Sequence, residues 1–203
     1  MKNRLTILFC FLFSATFAQE KTSKIERFFQ NKYVNYTEFG GLFGKSYQIT
    51  QMSYATPVDG RTNFTIQSYN GYKIFDKLSA GVTVGVDWFN AMQIVPISVG
   101  IRNTYGKSNT KKVKPYIGVD AGYGFTWLNN DASDNQTATG GLAISPVLGL
   151  LIPTGGQANF VLSVGYKHNA FKTVTNSGTP EYPTSTTKEY ELNRMAVRLG
   201  VNF

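Results

Sequence analysis

From Asn35 to the C-terminus the chain alternates between apolar and polar or small residues with a period of two, the pattern of strands whose two faces meet different surroundings. The last strand is the cleanest. Met195, Val197, Leu199, Val201 and Phe203 share one face, and Arg194, Ala196, Arg198, Gly200 and Asn202 the other. The third predicted strand sets Ala80, Val82, Val84, Val86 and Trp88 against Gly81, Thr83, Gly85 and Asp87. The fourth sets Ile97, Val99 and Ile101 against Ser98, Gly100 and Arg102, and the fifth runs from Ile117 to Trp127 against Gly118, Asp120, Gly122, Gly124 and Thr126. The seventh sets Phe160, Leu162, Val164 and Tyr166 against Val161, Ser163, Gly165 and Lys167. The first (near 35–44), second (near 63–74) and sixth (near 142–152) are less regular. Ser68 and Asn70 interrupt the apolar face of the second, and Pro146 in the sixth predicts a bulge or bend.

The connections between these strands alternate in length. Phe75–Lys77 and Pro153–Gln157 read as tight turns, and Gly106–Lys114 as a longer basic one. Lys45–Arg61, Asn129–Gly140 and Phe171–Thr187 read as long polar loops, with Phe89–Gln93 the short exception. Eight strands joined this way put both chain ends on the side of the short turns. The polar face is rich in glycine, serine and threonine with few charges, which suits a narrow, crowded lumen better than a solvated surface. Aromatic residues gather near strand ends: Trp88, Phe125, Trp127 and Tyr166 towards the loops, and Tyr72, Tyr105, Tyr116 and Phe203 towards the turns. Two such belts are expected where a barrel wall crosses two membrane interfaces.

The N-terminus carries a different signal. Met1–Arg4 is basic, Leu5–Phe17 mostly apolar, and Ala18 supplies the small residue before a cleavage point, so residues 1–18 read as a signal peptide. The apolar run is too short for a span that needs roughly 20 residues. Residues 19–34 read as a short periplasmic segment, with a helix over Lys21–Lys32 allowed but not required by Ile25, Phe28 and Phe29. Cys10 is the only cysteine and lies inside this leader without the small residues that precede a lipidated cysteine, so lipid anchoring, disulfides and thiolate chemistry are not expected. The formal charge of +8 becomes +6 without Lys2 and Arg4, and the bases scatter over turns and strand faces instead of forming the single patch of a nucleic-acid binder. No second long apolar run exists. A closed barrel is then the only way for this chain to cross a membrane, because hydrocarbon leaves no backbone polar group unpaired.

An alternating last strand that stops on an aromatic residue, behind a signal peptide, resembles the assembly signal of bacterial outer-membrane β-barrels. Over Asn35–Phe203 the chain is similar to the small OmpA/OmpX-like type. That resemblance implies an all-β, eight-stranded, antiparallel up-and-down transmembrane barrel in the cell outer membrane. It also implies a monomer in contact with outer-membrane lipids and lipopolysaccharide, matured by periplasmic chaperones and by barrel-assembly machinery that reads Met195, Val197, Leu199, Val201 and Phe203.

In that register Glu38, Lys73, Asp87, Arg102, Asp120, Lys167, Arg194 and Arg198 point inward. Unpaired, they would be costly, so a network of salt bridges filling the lumen is the expected arrangement, ahead of an anion-preferring path. His168 is the only histidine and the only conventional general base near neutral pH. Barrel lipid A deacylases carry a serine two residues after such a histidine, and Ala170 stands there. A dyad with Ser145 or Ser163 across strands is the remaining possibility. Asp131 and Asp134 lie in a polar loop without the downstream acid of a calcium site, for Leu142 occupies that position, and no metal site or cofactor is expected. The sequons at Asn35, Asn63 and Asn135 carry no weight in a Gram-negative host, and the glycines of 40–44 and 118–124 suit an inward strand face, not a nucleotide turn. The reading is a non-enzymatic outer-membrane barrel with a filled lumen and exposed loops, structural or in surface interaction. A lipid-modifying barrel enzyme and a secreted soluble barrel holding an apolar ligand stand as alternatives.

Overall fold

In the computed structural model the described residues are 32–50, 53–59, 62–89, 92–106, 112–126, 136–156, 158–179 and 182–203. The expected signal peptide and most of the segment after it fall outside them. Ten strands form in chain order: β1 (Tyr33–Thr50), β2 (Ser53–Asp59), β3 (Asn63–Lys73), β4 (Leu78–Trp88), β5 (Gln93–Thr104), β6 (Lys114–Phe125), β7 (Gln136–Thr139), β8 (Gly141–Pro153), β9 (Asn159–Thr179) and β10 (Tyr182–Asn202). Eight of them close a ring. β1 pairs with β3, then β4, β5, β6, β8, β9 and β10 follow, and β10 returns to β1, every pairing antiparallel. No sheet edge is left along the ring, which is what a wall in hydrocarbon requires.

The two faces are sorted as the period predicts. β10 exposes Met195, Val197, Leu199, Val201 and Phe203 and buries Arg194, Ala196, Arg198 and Asn202. β3, β4, β5 and β6 repeat the arrangement, with valine, isoleucine and aromatic residues outside and serine, threonine and charged residues inside. A soluble ligand-binding barrel has the opposite polarity, so that alternative falls.

Three features depart from the expectation. The first strand begins at Tyr33, ahead of Asn35, and Val34 already packs in the interior. Pro146 causes no bulge: β8 keeps one register with β9 on either side of it, Ile144↔His168 and Val147↔Gly165, and the ladder merely lapses between. Pro96 does the same in β5, between Val84↔Ile97 and Asp87↔Ile94. A proline removes one donor from a ladder, and a closed ring holds the register around the gap.

The third departure is larger. Much of the sequence expected to form the loops 45–61 and 171–187 is strand. β1 runs on to Thr50 and folds back as β2, while β9 and β10 stay paired from Asn159↔Asn202 up to Thr179↔Tyr182. β7 adds to β9 through Gln136↔Thr175 to Thr139↔Lys172. β2, β1, β10, β9 and β7 thus continue past the barrel as a five-stranded sheet. β9 and β10 have 21 residues each against 11 in β3 and β4. At roughly 3.3 Å per residue the excess of about ten residues adds some 33 Å of strand.

Candidate functional site

The inward residues of β9 pass through the lumen in order: Val161, Ser163, Lys167, Asn169 and Phe171 are all buried and together reach every layer, Lys167 and Asn169 sharing one. At the short-turn end lies an apolar floor of Val34, Tyr36, Tyr69, Tyr116, Val147, Leu151 and Val161. Tyr36 meets Tyr69 edge-on at 5.8 Å between ring centres and Tyr116 at 5.2 Å.

Above the floor, Glu38 is held from four sides. Gln67 donates to its Oε2 at 2.9 Å, Tyr116 to its Oε1 at 3.3 Å and Ser163 to the same oxygen, while the Arg198 guanidinium stands 3.9 Å away. Asp120 accepts both arms of the Arg102 fork, at 2.9 and 2.6 Å, and the Thr83 hydroxyl at 2.8 Å. Arg102 also lies 4.5 Å from the centre of the Tyr69 ring, joining this pair to the floor. Bidentate pairing of this kind is the strong, geometrically specific form of a buried ion pair. Glycine makes room for it: a Cβ on Gly118 would collide with the Arg102 side chain, one on Gly100 with the Asp120 carboxylate, and one on Gly149 with the Tyr116 ring.

The next layer centres on Asp87, which takes Lys167 Nζ at 2.6 Å, the Thr65 hydroxyl at 2.6 Å and Asn169 Nδ2 at 3.2 Å. Arg194 then donates to the Gly44 carbonyl and lies 5.7 Å from the Phe89 ring centre. Ile94, Phe171 and Leu192 close the loop end, with Phe89, Met92 and Tyr190 packed against them and the Phe171 and Tyr190 rings stacked at 4.7 Å. Phe89 and Met92 pair with each other through both backbone groups and pack over this end of the lumen. Grease, charge and grease fill the barrel from end to end.

Seven of the eight sequence-picked charges meet in these layers. Lys73 does not: it is exposed, because β3 ends on it and a lysine at the rim extends into water. Tyr116 also departs from its expected place in the turn-side belt, being 2% exposed inside the floor. Its even number puts it with Gly118 and Asp120, opposite Ile117, so strand parity overrides nearness to the end. Of the other picked aromatics Trp88, Tyr105 and Tyr166 are exposed on the outside, Tyr72 is half-buried and Trp127 lies outside the described residues. The polar interruption at Ser68 and Asn70 has a structural resolution. On the outer wall the Asn35 side chain donates to both, Asn70 donates to Ser68, and the Thr37 hydroxyl donates to Asn35 Oδ1, so these groups satisfy each other inside the apolar belt.

His168 shares Asn193 Oδ1 with the Tyr166 hydroxyl, at 2.7 and 2.8 Å. By strand parity it belongs to the outer face, whereas Ser145 and Ser163 are buried on the inner one. The barrel wall separates them, so neither serine forms a dyad with this histidine. Asp131 and Asp134 lie outside the described residues.

No family model matches the chain, and no curated protein does. Among solved structures it is similar to the outer membrane protein OprG from Pseudomonas aeruginosa, with a TM-score of 0.59 at 10% identity, covering 84% of this chain and 94% of that one. It is also similar to Neisserial surface protein A, at 0.45 and 10% identity over 84% and 94%, and to the Yersinia pestis attachment invasion locus protein Ail, at 0.40 and 12% identity over 85% and 99%.

Proposed function

We propose, taking as premise that this chain is a small outer-membrane β-barrel of eight strands, that its barrel is a closed anchor and its outer sheet the working surface, presented for surface interaction. One observation carries the reading: the strands that continue beyond the wall pair into a five-stranded sheet, while the space inside the wall is taken up by paired charges between two apolar layers. An interior filled in this way leaves ions no continuous wet route, since eight strands enclose little more than side-chain width. In this reading the chain is not an enzyme, lipopolysaccharide and phospholipid surround its belt, and the assembly machinery takes up β10 by its apolar face.

Single-cysteine labelling in intact cells tests both halves of the proposal, because the chain has no cysteine after Cys10. Thr186→Cys, in the outer sheet, is expected to react with a membrane-impermeant maleimide, and Ser98→Cys, on the buried face of β5, to stay unlabelled until the barrel is denatured. Labelling of Ser98→Cys at the rate of Thr186→Cys would mean a water-filled lumen and would overturn the anchor reading. A protected Thr186→Cys would remove the outer sheet from the cell surface.

A further inference from the structure

The turn ends of the barrel differ in chemistry around the rim. The β8–β9 turn, Thr154–Ala158, has no charged residue. The β3–β4 turn has Ile74 and Phe75 at its tip, with Lys73 before them and Lys77 after. It is closed by three backbone hydrogen bonds, Ile74 and Phe75 donating to the Leu78 carbonyl and Leu78 to that of Phe75. This closure holds the tip outward. Phe75 is 68% exposed and Ile74 55%. A further bond, from the Thr104 amide to the Lys77 carbonyl at 2.8 Å, ties the turn to the neighbouring end of β5. Beyond it Tyr105 and Val113 are exposed as well, beside Lys112 and Lys114.

Among the described residues, one sector of the rim therefore combines four exposed apolar side chains with four lysines and a single acid, Asp76. We propose that this sector is a binding surface for anionic phospholipid in the adjoining membrane leaflet, the lysines Lys73, Lys77, Lys112 and Lys114 meeting headgroup phosphates while Phe75, Ile74 and Tyr105 enter the acyl boundary. Two observations fix the occupant. The apolar tip lies next to the lipid-facing belt, with Tyr72 before it and Leu78 and Ala80 after it in sequence, so the surface it completes is a membrane surface. The charge is one-sided, whereas the long connections at the other end, 45–61, 129–140 and 171–187, balance Lys45, Arg61 and Lys172 against Asp59, Asp131, Asp134 and Glu181. Basic clusters immediately beside a membrane-crossing wall draw anionic lipid, and exposed aromatic residues there anchor at the headgroup level. The proposal concerns the turn end and stands apart from the outer-sheet reading.

The test uses the full mature chain, folded into nanodiscs of equal phosphatidylethanolamine and phosphatidylglycerol, with retained lipid counted by native mass spectrometry. The native barrel is expected to keep phosphatidylglycerol in clear excess. Lys73→Gln, Lys77→Gln, Lys112→Gln and Lys114→Gln together should cut that preference by about tenfold or more, as loss of several near-surface cations predicts, and the corresponding arginine variant should restore it. Phe75→Ser alone should weaken retention with the lysines intact. Heat-modifiable mobility of each variant establishes that it is folded. Equal retention of the two lipids by the native chain, or an unchanged preference in the glutamine variant, would overturn the proposal. So would displacement of the retained lipid by soluble glycerol phosphate at millimolar concentration, because a surface that needs no acyl chain is not a lipid site.

Discussion

Asp87 illustrates how a residue is fixed by its neighbours in this barrel. It is fully buried and takes the Lys167 ammonium at 2.6 Å, with Thr65 and Asn169 occupying further lone pairs. Asp87→Ala would leave Lys167 charged and without that carboxylate, and removing one partner of a buried pair costs about 3–5 kcal/mol. Urea unfolding in lipid should show a loss of that size. Replacing both members with leucine should cost distinctly less, because no charge is then stranded. The inward set was legible because parity alone separates Asp87 from Val86 and Trp88. Who pairs with whom was not: Glu38 meets Ser163 across 125 positions of sequence, a contact that only ring closure creates. Tyr116 was misplaced because nearness to a strand end was weighed above its parity, and Lys73 because parity does not say where a strand stops.

At the scale of the element, β10 closes the ring against β1 as far as Phe203. Phe203 donates its amide to the Asn35 carbonyl at 3.2 Å and accepts the Asn35 amide at 2.8 Å, so the last residue completes the seam between β10 and β1. Its side chain stays exposed at the turn-side rim. Deleting Phe203 removes two hydrogen bonds of the closure and the aromatic end of the apolar face, and is expected to reduce outer-membrane assembly sharply, measured as the folded, heat-modifiable fraction in membranes. Assembly at the native level would remove the role given to this residue. The strands inside the belt were readable because one face meets lipid and the other the lumen. Their extensions were not, because the sequence of β2, β7 and the outer halves of β9 and β10 has no sustained alternation of apolar and polar residues to betray them. Thr184, Ser185, Thr186 and Thr187 read as a loop by polarity, yet threonine favours a strand once a partner is present.

At the scale of the molecule, polarity is inverted relative to a soluble protein: among the described residues the outer wall is apolar, and the interior holds three acids, Glu38, Asp87 and Asp120, with four bases, Arg102, Lys167, Arg194 and Arg198. That inversion, the ring of eight strands and the two apolar layers form one account, in which the lumen is packed and what happens outside belongs to the sheet. Conductance in planar bilayers tests it most directly. Purified, folded protein is expected to give no steady current of porin size across a wide voltage range. Stable, reproducible channels of that size, formed by protein with native heat-modifiable mobility, would contradict the filled lumen and the function built upon it.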